Sequence, residues 1–294
     1  MNTRFKSATD FRKSLEARLQ TLAAASGQDL QRLRRKVAFD RFLARIFTQE
    51  QPSFYLKGGY AMELRIAQAR ATKDIDLTCI RRVKNETELL NELILTDLRS
   101  LAKQDLNDHF IYQVGEAQID LENAPYGGAR YPVSALIDRK LFVRFQLDVG
   151  ADYLLDEIEI IQGNNWLEFC SISPPAISMI SIEQQFAEKL HAYTLPRGER
   201  VNSRAKDLVD MALLIAKKPL QAASMMQTTK TVFQKRGTHS LPSKLEKPPL
   251  EWQPQFSTMA NECGLSPDMN VTYEKISKYY NNIISTQNDN RSSQ

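Results

Sequence analysis

The chain has 294 residues, 42% hydrophobic and 25% charged, with a net charge of +4. This is an ordinary soluble globular composition, long enough for two packed domains or one elaborated one, and basic enough to tolerate nucleic acid without demanding it. It holds no apolar run that could span a bilayer, no secretory signal in its first stretch and no metal-ligand spacing among Cys79, Cys170 and Cys263, so a cytoplasmic protein with reduced core thiols and no membrane partner is expected.

Apolar positions at helical spacing predict a helix from about Thr9 to Ala25, ending at Ser26-Gly27, and a second from Asp29 towards Phe47. In the second, Leu30, Leu33, Val37, Phe42, Leu43 and Ile46 form the buried stripe. Arg32, Arg34, Arg35, Lys36, Arg41 and Arg45 fall on the other face, as a solvated surface or a track for an RNA backbone.

The stretch from Phe54 to Ile80 organises the rest. It reads as a short apolar strand (Phe54 to Leu56), a Gly58-Gly59 turn, a helix-period segment, and a second strand carrying Asp74-Ile75-Asp76. Strand side chains alternate, so Thr72, Asp74, Asp76 and Thr78 share one face, and Ile75, Leu77 and Cys79 the other. Neighbouring carboxylates repel, and a divalent cation relieves the repulsion. Mg²⁺ takes one or two carboxylates together with substrate phosphates. Glycines before a helix let the backbone approach a phosphate and aim free N–H groups at it. The plain alternative is a strand end with two solvated aspartates after a glycine turn.

Glu86 to Gln104 then reads as an amphipathic helix, followed by strands at about His109 to Asn123, Val133 to Leu136, Lys140 to Val149 and Asp156 to Ile161. In the third of these, Leu141, Val143, Phe145, Leu147 and Val149 alternate with a polar face that presents Asp148. Asp148 joins the aspartate pair if the two strands are neighbours, in competition with Asp120. After Ser173-Pro174-Pro175 everything reads helical: Ser181 to Tyr193, Ser203 to Ala216, Pro219 to Arg236, Glu251 to Cys263 and Thr272 to Ile284, with a loop at Gly237 to Pro254 and a frayed tail. In the first of these helices Lys189 falls on the apolar stripe of Ile182, Phe186, Leu190 and Tyr193, reaching an anionic ligand or snorkelling past Phe186. The next carries Arg204, Lys206, Asp207 and Asp210, and Asp207 flanks its apolar arc, where an aspartate pairs with Lys189 or Arg204 or orients a substrate group. No internal repeat occurs, which excludes a solenoid.

The segments LKGGYAMELR with RATKDIDL, then FAEKLHAY, then SRAKDLVDM, resemble the AbiEii/AbiGii-type nucleotidyltransferase toxins of type IV toxin–antitoxin and abortive-infection systems. The resemblance implies an α+β chain: a nucleotidyltransferase-like mixed β-sheet flanked by helices, followed by a C-terminal helical domain. The boundaries expected are a helical lead-in at 1–50, the α/β domain at 51–172, the helical domain at 173–286 and a flexible tail at 287–294. It further implies NTP and Mg²⁺, transfer of a nucleotidyl group to an acceptor such as the 3′ end of tRNA, arrested translation, and a separate antitoxin chain.

Carried over by position, Asp74 and Asp76 fall on the metal pair, Lys189 on the motif lysine, and Asp207 with Asp210 on the last acidic motif. Lys57, Gly58, Gly59 and Tyr60 occupy the phosphate-side turn. Relatives often have serine or threonine after the glycines, so Tyr60 would have to donate its own hydroxyl there. Thr72, Asp148 and Arg204 complete the substrate-contacting set, and Asp148 or Asp207 would serve as base. Transfer to a protein hydroxyl, or an idle NTP- or RNA-binding module, are the competing functions.

Overall fold

A computed structural model describes residues 5–80, 87–121, 124–196, 204–217 and 222–291. The expectations for Glu86, Asn123, Ser203, Pro219 and residues 292–294 lie outside the described residues. The chain forms two compact units, one of residues 1–64, 71–153 and 159–179, the other of 65–70, 154–158 and 180–294.

The first unit opens with α1 (Ala8–Ser26) and α2 (Leu30–Ile46). Ser7 and Asp29 cap them by accepting the backbone N–H groups of Asp10 and Arg32, satisfying donors that the first turn leaves unpaired. Then come β1 (Phe54–Lys57), α3 (Gly58–Arg65), β2 (Asp74–Cys79) and α4 (Thr87–Ala102). The remaining strands are β3 (Phe110–Val114), β4 (Ile119–Asp120), β5 (Gly128–Ile137), β6 (Lys140–Ala151), β7 (Glu159–Gln162) and β8 (Ala176–Met179). They form one mixed sheet in the order β3-β5-β6-β2-β1-β8-β7, with β4 paired to β5. β2 lies antiparallel to β1 and parallel to β6.

One sheet face is core. Leu56, Ile75, Leu77, Leu147 and Val149 are fully buried, and α2 packs Phe39 and Phe42 edge-on against Phe145. Burying such side chains stabilises the fold by about 1.5–3 kcal/mol each.

Four expectations change. Residues 109–123 are not one strand: β3 stops at Val114, and the ladder resumes at Ile119 after Gly115, which packs against Pro132. β5 starts at Gly128, five residues before the expected Val133, because Pro132 is accommodated within the strand. β8 is a strand in the region read as wholly helical; it pairs with β1 in parallel at Leu56 and Met179, a long-range partnership without local period. Leu141 is exposed, although the alternation placed it inward.

The basic face of α2 is also reassigned. Arg41 and Arg45 are buried against the carboxylate of Asp108, which accepts from Arg41 Nε at 2.7 Å and from Arg45 at 2.7 and 2.9 Å. Arg32 and Lys36 pair with Glu63, and Arg34 with Glu16. Arg41 and Arg45 are therefore internal, whereas Arg32, Arg34 and Lys36 are partly buried and ion-paired within the unit and Arg35 lies 4.0 Å from Asp29.

The second unit contains α5 (Ile182–Thr194), α6 (Ala205–Lys217), α7 (Ala222–Arg236), α8 (Gln253–Glu262) and α9 (Met269–Arg291). α5 packs on α6 and α7, and α9 on the same pair, around Phe186, Leu190, Leu208, Met211 and Ile276.

Candidate active site

The site begins where β1 turns into α3. Lys57 ends the strand opposite Asp76, so the two side chains share a face. Gly58 then adopts φ +67°, a left-handed conformation that favours glycine. A Cβ there would stand 1.9 Å from Oδ2 of Asp76, and one on Gly59 would stand 2.7 Å from Oγ1 of Thr72. The missing side chains therefore let the turn lie directly against both residues. Gly59 donates its backbone N–H to Asp76 Oδ2 at 3.4 Å.

Register assembles the rest. In the parallel β2–β6 pair Asp76 lies opposite Asp148 and Asp74 opposite Gln146, so Asp74, Asp76 and Asp148 all project from the face away from the core. Arg130, opposite Asp148 on β5, donates Nε and Nη2 to its two oxygens at 2.7 Å each. The hydrogen bonds it gives to Asp148 hold the guanidinium protonated far above its ordinary range, and the charges of Asp148, Asp74 and Asp76 add to the effect. Lys57 reaches Asp152 at 3.5 Å. Asp120, the rival of Asp148, is excluded. It pairs with Ala129, which pairs with Val149 on the core side, and its carboxylate accepts from Asn91 at 3.0 Å.

Tyr60 departs from the role expected of it. The ring is fully buried, packed edge-on against Phe39. Its hydroxyl donates to Asp40 Oδ1 at 2.5 Å, so it is turned into the core and cannot serve a phosphate at the turn. Asp40 also accepts from the Asn164 backbone N–H and from Trp166 Nε1, both at 2.8 Å. Burial raises the pKa of Asp40, and these donors oppose the rise. Thr72 gives its backbone N–H to Glu63 at 2.6 Å, which ties the approach to β2 onto α3.

Lys189, Arg204, Asp207 and Asp210 gather in the second unit. Lys189 Nζ lies 2.6 Å from Asp210 and 3.4 Å from Asp207. Asp210 is fully buried and also receives a two-pronged pair from Arg70, at 3.0 and 2.8 Å. Arg204 reaches Asp207 at 3.3 Å. Burial alone would lower the pKa of Lys189, but Asp210 and Asp207 outweigh it and the net shift is upward. Burial would raise Asp210, but Lys189 and Arg70 outweigh it and lower the pKa. The lysine is thus inward, as its position on the stripe required, and held charged by aspartates. These five side chains comprise three cations and two anions, a net charge of +1.

Among the described residues no three His, Cys, Asp or Glu side chains group as a metal cluster. The donor set at the turn is a carboxylate pair, Asp74 and Asp76, with Asp148 alongside but committed to Arg130. A pair of carboxylates suits Mg²⁺, which takes its remaining ligands from water and substrate phosphates. Arg130, Asp152, Glu63, Asp40 and Arg70 were not anticipated. Arg130 alone had a readable signal, the alternation of GARYPVSALI, which Pro132 obscured.

Two solved structures are similar to the chain at low sequence identity. MenT4, a nucleotidyltransferase toxin from Mycobacterium tuberculosis, is 12% identical with a TM-score of 0.56, the match covering 91% of this chain and 98% of that one; this likeness shows a common fold. JHP933 from Helicobacter pylori is 14% identical with a TM-score of 0.47, over 88% and 96% of the two chains. No curated protein matches the sequence. The model for nucleotidyl transferase AbiEii toxins of type IV toxin–antitoxin systems matches residues 41–280, and the chain belongs to that family of nucleotidyltransferases.

Proposed function

We propose that the chain transfers a nucleotidyl group from an NTP to the 3′ end of tRNA in the cytoplasm, arresting translation unless a separate antitoxin chain restrains it. The observation that carries this reading is the contact of the Gly58-Gly59 turn with Asp76, on the sheet face shared by Asp74 and Asp148. A strand end with idle aspartates has no need of a turn pressed against one of them.

Asp74 and Asp76 would hold Mg²⁺, which when bound neutralises charge on the NTP phosphates and on the departing pyrophosphate. The N-terminal end of α3, whose Gly59 N–H is already given to Asp76, favours phosphate oxygens through the helix dipole, and Lys57 adds a cation on the same face. The acceptor hydroxyl oxygen forms a bond to the α-phosphorus, and the bond from that phosphorus to pyrophosphate breaks. Asp148 takes the hydroxyl proton, with Arg130 fixing its orientation. In the second unit we assign Lys189 the role of a fixed charge for an anionic group. Asp207 and Asp210 hold it, and Arg70 and Arg204 keep the group net positive.

The test is transfer of label from each NTP, with Mg²⁺ and a cell extract. Wild type is expected to label RNA, and Asp76→Asn to abolish labelling while melting like wild type. Transfer at the wild-type rate by Asp76→Asn would put the site elsewhere. Label on protein would favour the second reading, modification of a protein hydroxyl.

A further inference from the structure

Beside Asp74 the polar face of the sheet continues into a cavity of about 540 Å³. Lys73, Gln118, Ser134, Arg144 and Gln146 line it together with Asp74. Register accounts for the grouping: Gln146 lies opposite Asp74, and Arg144 lies opposite Ser134. All these positions belong to the first unit.

Three features mark the cavity as a ligand site. Lys73 and Arg144 are exposed and form no ion pair among the described residues, whereas nearby Arg130 is committed to Asp148. Gln146 Oε1 is buried and has no hydrogen-bond partner among the described residues. An unmet buried acceptor is costly unless a donor arrives to fill it. The walls otherwise offer a hydroxyl and a second amide, groups suited to a sugar or a base edge.

Strand order says which ligand. Along the sheet β2 lies between β1 and β6, with β5 beyond β6. The Gly58-Gly59 turn stands on the β1 side, and the cavity on the β6–β5 side. In-line displacement puts the attacking and leaving oxygens on opposite sides of the phosphorus. With the pyrophosphate at the turn, the acceptor hydroxyl must come from the side of the cavity.

We propose that this cavity binds the acceptor: the nucleotides that precede the terminal hydroxyl of an RNA strand, with Lys73 and Arg144 on the phosphodiesters and Gln146 accepting from a base or ribose. The proposal rests on the nucleotidyl-transfer reading above, and it commits to RNA over protein because two unpaired cations beside an unmet acceptor suit a phosphodiester chain.

Binding of bulk tRNA to the full chain at rising salt tests it without any chemistry. Lys73→Ala and Arg144→Ala are each expected to weaken tRNA binding about three- to tenfold and to flatten the salt slope by about one. Arg144→Lys keeps the charge and should restore the slope, which a structural role for the guanidinium would not. In the transfer assay the double alanine variant should raise KM for tRNA while KM for NTP holds. Unchanged tRNA binding by the double variant overturns the proposal, as does a rise in KM for NTP instead, or label that follows protein. Asp76→Asn separates the two readings. It should lose transfer yet bind tRNA like wild type; full transfer by it refutes the site proposed for the chemistry, while the salt series still reports on the cavity.

Discussion

Gly58 and Asp76 are in such close contact that no side chain fits between them. A Cβ on Gly58 would lie 1.9 Å from one carboxylate oxygen and 2.7 Å from the Asp76 Cβ. The left-handed φ of +67° adds strain for any other residue. Gly58→Ala is therefore expected to push Asp76 out of place as well as to destabilise the turn. A displacement of about 1 Å costs on the order of 100-fold in rate, and the backbone strain about 1–3 kcal/mol. Transfer assays and urea unfolding on the same variant read the two effects. Wild-type transfer by Gly58→Ala would show that the turn does not position Asp76.

Much of this site was legible because its parts are close in sequence. Gly58, Gly59, Asp74 and Asp76 fall within one strand–turn–helix–strand unit, and period-two alternation alone put both aspartates on one face. What could not be read came from pairing over long distances. β8 joins β1 across more than a hundred residues as a four-residue segment with no period of its own. The basic face of α2 looked available because Asp108 and Glu63, which neutralise it, lie elsewhere in the chain. Tyr60 was misread for the reverse reason. Its place after the glycines suggested a donor at the turn, while its hydroxyl had a partner, Asp40, on another helix.

The Asp148–Arg130 pair predicts a split between two variants. Asp148→Asn removes the proposed base and the second half of a two-pronged ion pair. It is expected to lower kcat by about 10²–10⁴ with little change in KM for NTP. Arg130→Gln leaves the carboxylate in place but unoriented, so it should lower kcat less than Asp148→Asn does. A wild-type kcat for Asp148→Asn would mean that Asp148 is not the base.

Lys189 separates a role in chemistry from one in folding. Lys189→Met leaves buried Asp210 with Arg70, and Asp207 with Arg204. Breaking a buried ion pair in this way costs about 3–5 kcal/mol. If the lysine also serves the triphosphate, KM for NTP should rise at least about tenfold, one lost charge–phosphate contact. A stability loss with KM unchanged would confine Lys189 to holding α5 and α6 together.

Asp108 is the counterpart in the first unit. Asp108→Ala strands two buried guanidinium groups, those of Arg41 and Arg45, and removes the acceptor for the Phe110 N–H. The expected loss is again about 3–5 kcal/mol, visible as a lower urea midpoint. tRNA affinity at temperatures where the variant stays folded should match wild type, because Arg41 and Arg45 are internal. A weakened, salt-dependent tRNA interaction in folded Asp108→Ala would return α2 to consideration as an RNA track.

His191 contributes to the acid limb of stability. Its Nε2 lies 2.8 Å from Thr238 Oγ1, and its ring packs against Phe233 and His239. Burial, then Arg236 and His239, lower its pKa from 6.5 to about 3. The folded protein therefore binds fewer protons than the unfolded chain between those values, and stability rises with pH across that window. The contribution is complete above pH 6.5 and is lost as pH falls towards 3. His239, also lowered by burial, adds to the same slope. Urea midpoints at pH 7, 6, 5 and 4 should fall steadily for wild type. His191→Gln, which keeps a polar group near Thr238 but does not titrate, should flatten the decline without abolishing it. If the decline is as steep in His191→Gln as in wild type, other groups govern acid unfolding.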